Sequence, residues 1–404
     1  MVCMTLAALL LTAQPNWAGN LTVTTTADSG RGSLRWAIGR ANAHDGVDFI
    51  DFDFALTGDV IQPLTPLPPI TDDYTYIDGD TGIDFAPDII LDGSQLDDIW
   101  ADYGLQISAD GCRVEDMVIV NFPHCGIDLL NANECFIAGC HLGVNRAGTV
   151  RQPTGLRGDI VLNGADDNRI QANIMGAGDA ETSWGAGITI WDGDRNWILQ
   201  NKIGLTRAGD RALGEGERGI FFNPMGGQAA DMNVIGEQPG PMLTSGNLIA
   251  GARTGISIDH NATNTQIKGN TFGLAADGDT RVPIEEACIA IDSGGSGTQI
   301  GGTVESYRNV FAGGAAYGVV VSSSAATDIM IQGNYFGSNA AGAALKALTT
   351  GVRTYAPEGT RVTIGGPRRH PRQQINVREG GDVLRREATG SRSKGVVAKA
   401  TSPE

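Results

Sequence analysis

The sequence predicts an all-β chain wound into a right-handed parallel β-helix, and three observations carry that prediction. A Gly-Ile-x-Ile phrase returns along the chain, a Gly-Asn-x-Phe-Gly phrase returns in step with it, and 57 glycines among 404 residues punctuate both. The glycines are about twice the usual share and follow no collagen triplet. They sit beside Ile, Val and Asn, as turns between many short strands would. Hydrophobic residues make up 41% of the chain, enough for a packed core, while aromatics make up only 6%.

The first phrase reads Gly126-Ile127-Asp128-Leu129, Gly187-Ile188-Thr189-Ile190 and Gly255-Ile256-Ser257-Ile258. Gly219-Ile220-Phe221-Phe222 and Gly318-Val319-Val320-Val321 are variants, and Cys288 takes the glycine's slot before Ile289-Ala290-Ile291. From Gly187 onward the spacing is about 30 to 36 residues. A second apolar phrase follows, centred on Ile170, Ile198, Ile267, Ile300 or Ile331, and a third often closes on Gly204, Gly273 or Gly337. Each period thus supplies three short strands that cannot bury a face alone. Stacked periods bury a continuous core, one coil on the next, for roughly ten coils.

QIKGNTFGLAADG at 266–278 and QGNYFGSNAAG at 332–342 show a longer period of about 65 residues, two alternating coil types. Asn173, Asn201, Asn270 and Asn334 share one slot three residues after the central Ile, and Cys140 takes it earlier. Stacked asparagine amides hydrogen-bond along the axis, so the phrase reads as structural.

The ends differ from the middle. In DSGRGSLRWAIGRANAHDG (28–46), Leu34, Ala37, Ile38 and Ala41 fall at i, i+3, i+4 and i+7 behind Ser33, an N-cap residue. This short amphipathic helix is expected to cover the first coil, whose open edge would otherwise invite pairing with other chains. Residues 1–18 resemble a secretory signal peptide with cleavage after Ala18, and residues 19–366 hold the repeat. Residues 367–404 are basic and poor in large apolar groups, as a disordered tail or an incomplete last coil would be; there Asn376-Val377 echoes Asn309-Val310.

A net charge of −17 argues against a nucleic-acid partner, which clustered Lys and Arg would serve. No stretch approaches the eighteen or so apolar residues of a membrane span. The expected protein is a secreted or cell-surface monomer whose partner is a polysaccharide.

Strand alternation turns Asp128, Trp191, Phe221, Asn223, Asp259 and Asp292 outward on the first sheet. Asp259 and Asp292 would stand one coil apart, about 4.8 Å, with His260 beside them. That spacing suits the acid and nucleophile of a retaining glycosidase, or a pair that raises one pKa or recruits a cation. Trp191 and Phe221 would offer flat surfaces to sugar rings. Asp259, Asp292 and His260 are therefore the catalytic candidates, and Asp128, Trp191, Phe221 and Asn223 the ligand-binding ones. The competing reading is that these aspartates end strands as turn formers.

A second acidic cluster, Asp78, Asp80, Asp84, Asp88 and Asp92, suits Ca2+ through oxygen ligands, with Asp78, Asp80 and Asp84 as the metal candidates. It matches no EF-hand loop, and solvated turn aspartates are the alternative. Cys112 and Cys135 occupy equivalent slots, within disulfide range or as a reduced stack inside the coil. No Cys-x-x-Cys pair, Gly-x-Ser-x-Gly elbow or P-loop occurs, and the five histidines are scattered.

The repeats resemble those of the bacterial right-handed parallel β-helix repeat proteins, which read GNxIGxxxxG and IGGxxxxxxNVIxG. VTTTADSGRGSLRWAIGRANA, with YIDGDT (76–81) and ILDGSQ (90–95), resembles the entry segment of their secreted, CSLREA-like members. The resemblance covers roughly 20–366. It implies the architecture and leaves activity open, since this pectate-lyase-like fold hosts lyases, other glycan-active enzymes, adhesins and passenger domains. Arg195, Lys202 and Lys268 lie on or beside repeat strands, but no acidic trio accompanies them as a lyase's calcium site would need. Two readings follow. One is an exported, non-catalytic protein that binds polysaccharide. The other is a lyase or glycoside hydrolase working in a groove on the first sheet.

Overall fold

The computed structural model describes residues 19–365 apart from 83–85, 179–183, 215, 225–227, 238–245, 313–315, 323–325, 346–347 and 356–360, with the backbone of 374–375, 382–383 and 398–399. The expected signal peptide (1–18) and most of the expected tail (367–404) lie outside the described residues.

The three phrases of each period become three parallel sheets, making an all-β solenoid. The Gly-Ile-x-Ile phrases form a nine-stranded sheet from Tyr103–Ile107 to Thr350–Thr354. The second phrases form a twelve-stranded sheet from Gly19–Val23 to Val362–Ile364, and the third an eleven-stranded sheet from Val60–Ile61 to Gln374–Ile375. Each strand pairs with its equivalent one coil on. Ile170, Ile198, Ile267, Ile300 and Ile331 share one register column, with Ile235 filling the coil between Ile198 and Ile267. In the last rung Gln374 stands opposite Tyr335, three residues ahead of Val377, which the Asn376-Val377 echo would place there.

The core is a set of such columns. Ile127, Ile160, Ile188, Ile220, Ile256 and Ile289 are fully buried one above another. Phe272, Phe311 and Phe336 stack with centroids 5.0 and 4.6 Å apart. Each such side chain contributes roughly 1.5–3 kcal/mol by leaving water. The glycine before the isoleucine makes room for these rings. A Cβ at Gly318 would come 2.6 Å from Phe336 Cδ1.

The asparagine slot is an inner ladder. Asn173 donates its backbone N–H to Asn201 Oδ1 (2.9 Å), and the pattern continues through Asn247, Asn270, Asn309 and Asn334 at 2.9–3.0 Å. Each Nδ2 also donates to the backbone carbonyl of a central isoleucine of an earlier coil, as Asn201 does to Ile170 O at 2.9 Å. Asn247 and Asn309 are rungs that the sequence phrase did not reveal, because Ala250 and Ala312 replace its closing glycine. Cys140 heads the ladder, its thiol donating to Val114 O at 3.6 Å. A second ladder, Asn168–Asn196–Asn233, runs beside the second phrases at 2.9 Å per rung. Cys135 continues it, donating its N–H to Asn168 Oδ1 at 2.8 Å. Cys112 and Cys135 are both buried free thiols. Of the two readings of this pair, the reduced stack is the one present.

Among the described residues one α-helix, Leu34–Ala41, is present, and it begins as expected at Ser33, whose Oγ accepts from Trp36 N–H at 3.2 Å. Its buried face, Leu34, Ala37, Ile38 and Ala41, joins the core beside Val23 of the sheet's end strand. No helix among the described residues is long and apolar enough to cross a membrane.

Candidate functional site

The outer face of the nine-stranded sheet carries the expected residues in two rows. Asp128, Val161, Thr189, Phe221, Ser257 and Ala290 occupy one register column. Asn223 and Asp259 lie in the next, their N–H groups extending the ladder to Ile190 O (2.9 Å) and Phe222 O (3.0 Å). Asp292 follows one coil on, donating to Ile258 O at 3.0 Å. The placement is as read from the sequence, but the exposure is not. Asp128, Phe221 and Asn223 are only 3%, 4% and 1% exposed. Phe221 lies beneath the Arg218 guanidinium, 4.5 Å from its centroid, so it offers no open ring.

At one end the face is aromatic and basic. Residues 155–157 extend the pairing between coils, donating to the carbonyls of Phe122, Pro123 and His124, and this delivers Arg157 onto the face. Its guanidinium sits 3.9 Å from the Trp191 ring, 5.7 Å from Trp100 and 5.9 Å from Trp184. Trp191 reaches it from a register shift in its strand, where Asn163 pairs with Asp192. Trp100 stands on a turn knotted by Asp102, which accepts from Asp97 and Asp98 N–H at 3.0 and 2.6 Å. Trp100 and Trp184 remain 62% and 40% exposed.

Beneath this cluster, burial pushes the Asp128 carboxyl up to about 6 despite a 2.9 Å hydrogen bond from Gln106 Nε2. His124 packs edge-on to Tyr103 with centroids 4.6 Å apart. Its Nδ1 lies 2.6 Å from Ile99 O, and burial holds its pKa below the usual histidine value, so the ring is neutral with the proton on Nδ1.

The other end is acidic. Burial first, and then the charge of Asp292, push the Asp259 carboxyl up to about 6, with Arg218 and His260 opposing. Asp259 Oδ1 and Asn223 Nδ2 are buried without a hydrogen-bond partner. His260 turns away from the strand at φ 52° and is exposed, its N–H donating to Ser293 Oγ at 2.9 Å. The two ends are four rungs apart between Asp128 and Asp259, about 19 Å at 4.8 Å per rung, so these two carboxyls cannot act on one bond.

The other candidates lie elsewhere. Asp78 and Asp80 cap their own turns, accepting from Asp80 N–H (3.0 Å) and Gly82 N–H (2.8 Å), while Asp88 bonds Thr81 and Arg146. Asp84 lies outside the described residues. Among the described residues no three His, Cys, Asp or Glu side chains converge as metal ligands. Arg195 is tied to Asp166 and Asp167 at 3.0 and 2.8 Å.

Sequence reading missed Arg157, Trp100, Tyr103 and His124. Trp100 and Tyr103 stand just before Gly104-Leu105-Gln106-Ile107, a Gly-Leu-x-Ile variant of the phrase that was passed over, and Arg157 precedes one in which Asp159 replaces the glycine. The carboxylate-rich turn DDIWAD at 97–102 was the available signal.

No family model matches the chain, and no curated protein sequence matches it. Several solved structures are similar in part. The A-module of the Azotobacter vinelandii mannuronan C-5 epimerase AlgE6 is 11% identical, with 86% of this chain and 99% of that one covered at a TM-score of 0.46. The Dettilon tailspike protein is 13% identical, with 83% of this chain and 66% of that one covered at a TM-score of 0.39. An alginate lyase from Paenibacillus sp. is 17% identical, with 85% and 97% covered at 0.34.

Proposed function

We propose that this chain is a secreted or cell-surface protein that binds an extracellular polysaccharide on the outer face of its nine-stranded sheet. In this reading residues 1–18 direct export, the coils wind right-handed, the helix Leu34–Ala41 closes the first coil, and the protein works as a monomer. The observation that carries it is the Arg157 cluster, one guanidinium among three tryptophans of which two are substantially exposed. Flat rings stack on the apolar faces of sugars, and a guanidinium held between them donates to hydroxyl or carboxylate oxygens.

A second reading, a glycoside hydrolase or lyase, is favoured by one observation. Asp259 is a carboxylic acid held near 6 with Asp292 one rung away and His260 beside it. In that reading Asp259 protonates the leaving oxygen and Asp292 serves as nucleophile or base.

One experiment separates the two. The purified chain is passed over a panel of immobilised neutral and acidic polysaccharides, with and without calcium, while reducing ends and the ultraviolet absorbance of unsaturated ends are followed. Retention on one glycan without turnover is the expected result, and Trp184→Ala or Trp191→Ala should release it. Turnover lost in Asp259→Asn would replace binding by catalysis as the function.

A further inference from the structure

Lys268 projects from the outer face of the twelve-stranded sheet, far from the aromatic cluster, yet is only 7% exposed. An ammonium removed from water is costly unless it is paired. Its Nζ donates to Gln266 Oε1 at 2.5 Å and lies 4.7 Å from the Tyr307 ring centroid. Neither partner is charged. Burial alone sets its pKa, which falls below the usual lysine value with no neighbouring charge contributing. Glu237, on the preceding rung, directs its carboxylate to Ser306 instead. In a chain of net charge −17, a buried cation without a carboxylate is out of pattern.

The space beside it is built to stay open. Gly236 and Gly301 flank Lys268 in its register column, so no side chain follows it on either rung. Tyr307 folds back over Gly302, where a Cβ would meet its ring at 2.8 Å. The result is a cavity of about 240 Å³ lined by Lys268, Gln299, Gly301, Thr303, Tyr307 and Gln332. That is smaller than the roughly 300–1,000 Å³ of sites that enclose drug-sized ligands, and suits one charged group better than a chain segment. The lining offers an ammonium and two carboxamides but no carboxylate.

We infer that this pocket binds an oxyanion, a carboxylate or sulfate group of the kind that acidic polysaccharides carry. Only the carrier rests on the proposed function; the anion site stands on Lys268 and its pocket. The ammonium supplies the charge, and the amides of Gln299 and Gln332 supply neutral donors to the remaining oxygens.

The test is thermal unfolding of the full chain in sodium glucuronate, sodium sulfate or glucose, with sodium chloride matching ionic strength. A ligand that binds only the folded state raises Tm with concentration. Glucuronate, sulfate or both should raise Tm above chloride, and glucose should not; which anion acts identifies the group. Lys268→Met, close in length and free of charge, should abolish the rise. The site is wrong if neither anion exceeds chloride, or if Lys268→Met responds as the wild type does. Should Lys268→Met fail to fold, acylation of Lys268 in the wild type, read by mass spectrometry, decides the matter. Slowing by either anion but not glucose supports the site, and equal rates overturn it. Failure of the glycan-binding reading would show separately, as no retention on any polysaccharide with the anion response intact.

Discussion

Asn201 and Asn223 are both buried asparagines, yet they are in opposite circumstances. Asn201 belongs to the inner ladder. Its Nδ2 donates to Ile170 O and Asn247 Oδ1 at 2.9 and 3.0 Å, and its Oδ1 receives the N–H and Nδ2 of Asn173. Asn223 lies on the outer face with its Nδ2 unpaired, one rung from the unpaired Oδ1 of Asp259. Inside the coil, repetition supplies each amide with the next one, so burying polar groups costs little. Outside, the row runs from Asn163 through the register shift at Trp191 and Asp192 to Asn223, Asp259 and Asp292, and among the described residues no amide ladder follows it. Orphaned polar atoms are what a repeat removes first, so their survival on one face points to use rather than scaffolding.

The largest expected effect breaks the comparison from the inside. Asn201→Leu would leave the backbone N–H and Nδ2 of Asn173 without their acceptor, each at about 1–3 kcal/mol. Urea unfolding should lose about 2–6 kcal/mol of stability in total. Asn223→Leu removes an amide nitrogen that has no partner and should cost far less. Equal losses would mean that the outer row is as structural as the ladder.

The ladder was legible because it repeats. Four of its six asparagines share a phrase, and the other two were hidden by alanine in place of glycine. The three strands per period, their order and the helix behind Ser33 followed from periodicity alone. The outer face was legible only in register. Alternation placed Asp259 over Asn223 correctly, but burial depends on what lies above a residue, and no periodicity encodes Arg218 folding over Phe221. The Arg157 cluster was invisible for a related reason. Its members come from four segments, 97–102, 155–157, 184 and 191, joined only by stacking of coils.

A middle-sized effect tests the inner column where it departs from the repeat. Asp159 takes the slot of Gly126 and Gly187 and is fully buried, accepting from Thr154 Oγ1 at 2.7 Å and Gly176 N–H at 2.9 Å. Burial pushes its carboxyl up to about 7, against Thr154, Arg151 and backbone donors that favour the charged form. The folded state therefore prefers the neutral acid, whereas the unfolded chain ionises near 3.8. Its stabilising contribution is complete below about pH 4 and is lost as pH rises to about 7. Asp159→Asn should flatten that part of the stability–pH profile, whatever its absolute stability. An unchanged slope would mean that Arg151 keeps Asp159 ionised throughout.

The smallest effect on stability should accompany the largest effect on binding, and Trp184 is the residue that separates them. Its ring is 40% exposed and 5.9 Å from Arg157, so Trp184→Ala should alter stability by no more than about 0.5 kcal/mol. Trp191, 3.9 Å from the same guanidinium, holds it more closely, and Trp191→Ala should cost about 0.5–2 kcal/mol. If the tryptophans form a sugar platform, both variants lose polysaccharide retention despite this difference in stability. If they merely cover Arg157, retention follows stability, and Trp184→Ala binds as the wild type does. The outer face would then resemble the inner ladder after all, a set of side chains that satisfy one another, and the unpaired atoms of Asn223 and Asp259 would be the opening it still offers a ligand.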